Sequence, residues 1–284
     1  LPNPAILKIM LEQGCGLDCS SPSELYIAKK LNVPSNKIMY TSNFTSEKDV
    51  RLACEHNVIL NLDDISLIDF IPENKIPDTI SFRLNPQTNN NWNKFGMTED
   101  NIIKAYEKMI IRSKEEAPAL KFGIHMMDNS CELEIAKWEV SVRALLETVT
   151  KIQNKMDIHF DFVNIGGGIG IPYSDEKEIS LCQLAYTIAN LFKEYDIDSN
   201  LYTESGRYVT GPAGYLVSKC ESIKITSGET IYGLDACMTH LMRPGMYGAY
   251  HEIIIPKKEG NKSQIASVVG TLCENNDWFA KDRE

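Results

Sequence analysis

The chain is constrained most by an alternation. Short β-rich runs, GLDCS (16–20), KIMY (37–40), VILNL (58–62), TISFRL (79–84), KFGIHM (121–126), HFDFVNI (159–165) and LYTE (201–204), are separated by longer segments. Those segments, among them SPSELYIAKKL, SEKDVRLACEH, EDNIIKAYEKMIIR, ELEIAKWEVSVRALLETVTKIQ and LCQLAYTIANLFKEY, carry apolar residues at i, i+3, i+4 and i+7, the period of an amphipathic helix. Strand and helix in strict turn predict a parallel sheet covered by helices. The seven runs are one short of a closed (β/α)8 barrel. The first helix expected, residues 4 to 14 with Pro4 in its first turn, has no strand before it. The missing strand is expected before Leu1, so the 284 residues are read as an excerpt of a longer protein.

Near residue 215 the pattern changes. GYLVSKCESIKI, TIYGLDAC, YHEIIIP and IASVVGTLC read as strands joined by turns without long helices, the grammar of antiparallel sheets. We therefore expect a barrel domain over residues 1–215 and a partial antiparallel β domain over 216–284, the chain stopping at AKDRE without a terminal element. NPQTNNNWNKFG (85–96) reads as a polar, Asn-rich loop.

A net charge of −10 disfavours nucleic acid and anionic membrane as partners, because both repel such a surface. No stretch approaches the ~20 apolar residues of a membrane span, and LPNPAILKIM lacks the basic and apolar regions of a signal peptide. The chain reads as cytoplasmic. Its eight cysteines have no CxxC pair and no neighbouring His at zinc spacing, so no metal site is expected. Most are expected to be small core residues.

GGG (166–168) follows the sixth strand, at the rim where barrel enzymes build their sites. Glycine lets backbone N–H groups converge on an anion, and phosphate is the natural guest; a tight turn with positive φ is the alternative. The next rim loop, TESGRYVTGPAGY (203–215), adds Glu204, Gly206 and Arg207. Neighbouring rim loops lie side by side, so an anion at GGG would also meet the Gly206 amide and Arg207. With Glu204 below to pair with a ring nitrogen, the set suggests a phosphorylated, nitrogen-containing ring; surface ion pairs are the bland alternative for each charge alone.

The segments LPNPAILKIMLEQGCGLDCSSPSEL, FVNIGGGIGIPY, ESGRYVTGPAGYLVSK, LDACMTHLMRPGMYGAYHEI and VVGTLCENNDWFAKDRE resemble, in order and almost end to end, the fold III pyridoxal-phosphate decarboxylases. That group contains ornithine, arginine and diaminopimelate decarboxylases, and the diaminopimelate branch is the most similar. The resemblance implies an alanine racemase-like TIM barrel with a β domain, pyridoxal 5'-phosphate as cofactor, and a homodimer with shared active sites. It implies that Gly166, Gly167, Gly168, Gly206 and Arg207 hold the cofactor phosphate, that Glu204 keeps the pyridine nitrogen protonated, and that Ser130 is the family serine beside the cofactor. Arg207 is counted with the substrate residues as well. Two positions depart from the pattern. Where a Gly-x-His-x-His run has its second histidine this chain has Met127, so either His125 or the Met127 sulfur would cover the ring; Ser205 replaces a proline.

For the substrate, the resemblance implies that Arg243 and Tyr247, in R-P-x-x-Y spacing, bind a distal carboxylate; Arg suits this because its fork is bidentate. Cys273 would be the acid that returns a proton to the substrate carbon, Glu274 would face the distal ammonium, and Asp277 is expected to be structural. The family lysine that holds the cofactor covalently is expected about two residues ahead of Leu1. Decarboxylation of meso-2,6-diaminopimelate to L-lysine, a step of lysine biosynthesis, is the expected activity. The rivals are a D-ornithine or D-lysine decarboxylase of the same branch and a lysine-lacking pseudoenzyme acting through mixed dimers, against which Glu204, Arg207 and Cys273 together argue.

Overall fold

The computed structural model of the chain describes residues 2–86, 88, 93–256 and 264–284. Positions 87 and 89–92 of the Asn-rich loop therefore lie outside the described residues. Two compact units are present, Leu1–Ile171 with Ile179–Thr210, and Pro172–Glu178 with Gly211–Glu284.

The first unit runs α1 (Pro4–Glu12), β1 (Leu17–Cys19), α2 (Pro22–Lys30), β2 (Ile38–Thr41), α3 (Glu47–Glu55), β3 (Ile59–Leu62), β4 (Thr79–Leu84), α4 (Glu99–Glu116), β5 (Lys121–Met126), α5 (Ile135–Met156), β6 (Phe160–Asn164), α6 (Leu181–Glu194), β7 (Asn200–Tyr202) and α7 (Gly206–Thr210). All seven expected strands form. They pair in consecutive order, every pair parallel, which is a TIM-like barrel sheet. The sheet curls far enough for Asn164 on β6 to reach Met39 Sδ on β2, 3.5 Å away.

Serine side chains start three of the helices. Ser21, Ser46 and Ser180 accept from the amides of Glu24, Asp49 and Gln183 at 3.4, 3.2 and 3.3 Å, each satisfying a donor the helix itself leaves unpaired. The helices bury one face against the outside of the sheet. There Tyr106, Trp138, Leu145 and Val149 pack with Tyr40, Leu60, Phe82 and Ile124 in one core. Because strand side chains alternate, the intervening residues face the barrel interior, where Met39, Ile59 and Phe162 form a small second core. A Cβ at Gly123 would strike the Phe162 ring, so glycine on β5 makes room for that interior aromatic.

The second unit is a four-stranded sheet of order β11-β10-β9-β8, built from β8 (Cys220–Thr226), β9 (Glu229–Leu234), β10 (Ala266–Val269) and β11 (Trp278–Arg283), with the short α8 (Arg243–Tyr247) in the β9–β10 connection. β8–β9 and β10–β11 are antiparallel and β9–β10 is parallel, so the sheet is mixed. The long connection between β9 and β10 gives the chain the length that a parallel crossover needs. Two local expectations are corrected. YHEIIIP forms no strand: Ile254 and Ile255 are exposed and the segment pairs with no strand among the described residues, and β-propensity without a partner does not make a strand. AKDRE, where no terminal element was expected, supplies the end of β11, with Ala280 buried beside Phe279 and Arg283 in register with Ala266.

The cysteines are corrected too. Cys19, Cys54 and Cys237 are buried, but Cys182, Cys220 and Cys273 are exposed; all eight are free. Burial pushes the Cys19 and Cys54 thiols up to about 12. Among the described residues no cluster of His, Cys, Asp and Glu could hold a metal ion, and no helix is long and apolar enough to cross a membrane.

Candidate functional site

The interior face of the barrel turns from apolar to polar toward the strands' C-terminal ends. Asp18, Thr41, Asn61, Arg83, His125 and Asn164 lie at inward positions toward the C-terminal ends of β1 to β6, one from each strand, because side chains alternate along a strand. Arg83 and His125 are register partners, as are His125 and Asn164. Glu204, just past β7, completes the ring.

The band is wired together. Asn164 Nδ2 donates to Glu204 Oε1 at 2.7 Å, and Asn164 Oδ1 accepts from the Gly166 amide at 2.9 Å. His125 is buried, with Nδ1 2.9 Å from Asn61 Nδ2. Since that amide can only donate, Nδ1 accepts and the ring proton sits on Nε2. Nε2 faces Glu204 Oε2 at 3.5 Å, too long for a formed hydrogen bond. Burial alone would push the Glu204 carboxyl up. The nearby His125 imidazole, the Asn164 donor and the Arg83 charge outweigh it, and the carboxyl is held below its ordinary value.

Arg83 lies 3.6 Å from Asp63. Burial pulls that guanidinium down and pushes the Asp63 carboxyl up, and the Gly96 amide steadies the latter at 3.0 Å. Across the barrel, the surrounding protein and then the Glu204 charge push Asp18 well above the usual carboxylate range; its access to water moderates the effect.

The three glycines are forced by close approach. A Cβ at Gly166 would run into the Met126 carbonyl oxygen, one at Gly168 into that of Asn129, and both residues have positive φ, 71° and 106°. At Gly167 a Cβ would lie 2.6 Å from the Glu204 carbonyl oxygen. The turn is thus clamped between the loops after β5 and β7. Further bonds tie it there, from Glu204 N and Thr203 Oγ1 to the Gly166 carbonyl at 2.9 and 3.0 Å. The Gly167 amide donates to Met127 Sδ at 3.1 Å, so Met127 supports the glycine turn.

Of the expected phosphate donors, the Gly206 amide bonds the Glu204 carbonyl at 2.8 Å and the Gly166 amide bonds Asn164. The Gly168 amide has no partner among the described residues. Sulfur is a weak acceptor, so the Gly167 amide is readily given up to an anion. Arg207, in α7, and Ser130, in the loop after β5, are exposed. This donor set fits a pyridoxal-phosphate group: a carboxylate poised for a ring nitrogen, glycine amides and an open guanidinium for phosphate. Two buried polar atoms of the same network, Asn61 Oδ1 and His125 Nε2, have no hydrogen-bond partner among the described residues.

In the second unit the expected substrate residues lie on α8 and on the turn after β10. Gly245 lets α8 rest against the Asn276 carbonyl, where any Cβ would clash. Asp277 is buried, and its carboxylate accepts from the Met238 and Leu272 amides at 2.5 and 2.6 Å. It fastens the Cys273–Glu274 turn, Glu274 in turn accepting from the Asn276 amide at 3.0 Å. Cys273 and Tyr247 are exposed. Arg243 is half-buried and has no acidic partner within ion-pair distance among the described residues. Its Nη1 donates to His251 Nε2 at 3.0 Å and its guanidinium lies 4.4 Å from the Tyr173 ring centroid.

The sequence reading missed Asp18, Asn61, Arg83, Asn164 and Tyr173. A signal existed for the first four: a polar residue at an inward position near the end of an otherwise apolar strand.

A family model described as "Pyridoxal-dependent decarboxylase, pyridoxal binding domain" matches residues 1–211. Protein TabA of Pseudomonas amygdali pv. tabaci is 36% identical over 100% of this chain and 68% of its own length. A diaminopimelate decarboxylase of Methanocaldococcus jannaschii is 35% identical over 99% of this chain and 68% of its own. The crystal structure of diaminopimelate decarboxylase from M. jannaschii in complex with L-lysine superposes with a TM-score of 0.85, at 33% identity and over 99% of this chain and 68% of that one.

Proposed function

The chain belongs to the pyridoxal-dependent decarboxylase family, and on that premise we propose that it removes CO2 from meso-2,6-diaminopimelate to give L-lysine. The observation that carries the substrate reading is Arg243: a guanidinium held by two neutral rings, with no acidic partner among the described residues, is suited to an external carboxylate. Relatives named diaminopimelate decarboxylases support it. A step in lysine biosynthesis, a cytoplasmic setting and a homodimer with shared sites belong to the same proposal.

The cofactor is pyridoxal 5'-phosphate, whose protonated ring supplies, when bound, an electron sink for the bond pair left by departing CO2. Glu204 holds a proton at the ring nitrogen, and its depressed carboxyl favours an ionised partner for that cation. Asn164 holds one carboxylate oxygen, His125 Nε2 faces the other at 3.5 Å, and Asn61 fixes His125. Gly167, Gly168 and Arg207 bind the phosphate, with Ser130 beside it, while Gly166 and Gly206 shape the turns. Arg243 and Tyr247 receive the distal carboxylate, Glu274 the distal ammonium, and Cys273 returns a proton to the carbon that lost CO2.

Arg243→Ala tests the substrate assignment. The expected result is a KM for diaminopimelate raised at least tenfold, or ~1.4 kcal/mol, and loss of its preference over D-lysine. Unchanged kinetics on diaminopimelate would refute it.

A further inference from the structure

After the glycine turn the chain leaves the barrel unit at Ile171, and Pro172–Glu178 packs as part of the second unit. The Tyr173 amide donates to Glu176 Oε2 at 3.0 Å, which closes the segment into a turn. The half-buried Tyr173 ring lies against two side chains. Its centroid is 4.7 Å from that of His251 at an interplanar angle of 66°, and the Arg243 guanidinium carbon is 4.4 Å from it. Arg243 Nη1 bonds His251 Nε2 at 3.0 Å. A guanidinium only donates, so Nε2 is the acceptor and the facing nitrogen carries no proton. The guanidinium is thus bracketed by two rings.

We propose that Tyr173 is a positioning residue for substrate selection: its ring face, with His251, fixes the Arg243 guanidinium so that its remaining N–H groups receive a carboxylate on the substrate. This rests on the reading that Arg243 binds the distal carboxylate. The chemistry explains the pairing. An arginine facing a structural carboxylate would be neutralised before substrate arrived. One held by a π-face keeps its charge and all but one of its donors, while a long, flexible side chain loses its rotamer freedom in advance. The aromatic face is what matters, so the hydroxyl is dispensable.

The experiment compares two ligands of the pyridoxal-phosphate-loaded, full-length enzyme, their affinities read from the change in cofactor absorbance. L-Lysine carries a carboxylate and cadaverine is the same diamine without it. Tyr173→Leu is expected to weaken L-lysine about tenfold, or ~1.4 kcal/mol, and to leave cadaverine within about twofold. Tyr173→Phe should restore L-lysine to within about twofold of the parent. If Tyr173→Leu weakens both ligands equally, or neither, while Arg243→Ala abolishes the preference for L-lysine, Tyr173 does not position the guanidinium and the carboxylate reading stands. If Arg243→Ala itself leaves the preference intact, both fall.

Discussion

In Gly167→Ala the new methyl carbon would come to rest 2.6 Å from the Glu204 carbonyl oxygen and 3.1 Å from its carbonyl carbon. Those are backbone atoms, and the Glu204 amide is tied to the Gly166 carbonyl at 2.9 Å, so the loops cannot part without losing that bond. Overpacking of this kind costs about 1–3 kcal/mol. For a unit of this size ~2 kcal/mol lowers Tm by about 4–8 °C. Gly206→Ala is the internal control: its Cβ meets nothing within 4 Å, and a surface change at a helix end stays within about 0.5 kcal/mol. Urea unfolding of the cofactor-free protein measures both variants, and titration with pyridoxal phosphate shows whether a displaced Glu204 loop also weakens the cofactor. A Gly167→Ala protein within 0.5 kcal/mol of the parent, or a Gly206→Ala protein equally damaged, would refute the clamped-turn account.

Three further outcomes follow from the same geometry. The Glu204 carboxyl is held below its unfolded value of 4.5, so its stabilising share is complete above that pH and drains as pH falls through the lower folded value; denaturant unfolding across that range should show Glu204→Gln less stable than the parent near neutrality and converging with it in acid. Parallel curves at every pH would contradict this. Asp277→Ala removes the acceptor of two buried backbone amides and should cost ~2–4 kcal/mol in the second unit, read as an earlier unfolding transition. Met127→Leu keeps the volume but not the sulfur acceptor of the Gly167 amide; it should cost under about 1.5 kcal/mol, and a loss as large as that of Gly167→Ala would show that the sulfur holds the turn.

The barrel was legible because its strands and helices differ in period, and periodicity is local. All seven strands, including three-residue β1 and β7, follow from it. The second unit was legible only in outline, because strand pairing is not local. YHEIIIP has the composition of a strand and pairs with none among the described residues, whereas WFAKDR, at whose end no terminal element was expected, pairs with β10. At the site, Glu204 and the glycines stood out as loop motifs. Asn61, Asn164 and Arg83 did not, since a single polar residue in a strand acquires meaning only when the barrel's curvature brings six strands' inward positions together. Tyr173 was hidden more deeply: its partners Arg243 and His251 lie seventy and seventy-eight residues away in sequence.

Decarboxylation of diaminopimelate is decided by the products the full-length polypeptide makes from meso-diaminopimelate, D-lysine and D-ornithine with pyridoxal phosphate present. One CO2 and one L-lysine per diaminopimelate consumed are expected, at a kcat/KM above that for either D-amino acid. Preferential release of cadaverine or putrescine from the D-amino acids, or no CO2 from any of the three, would contradict it.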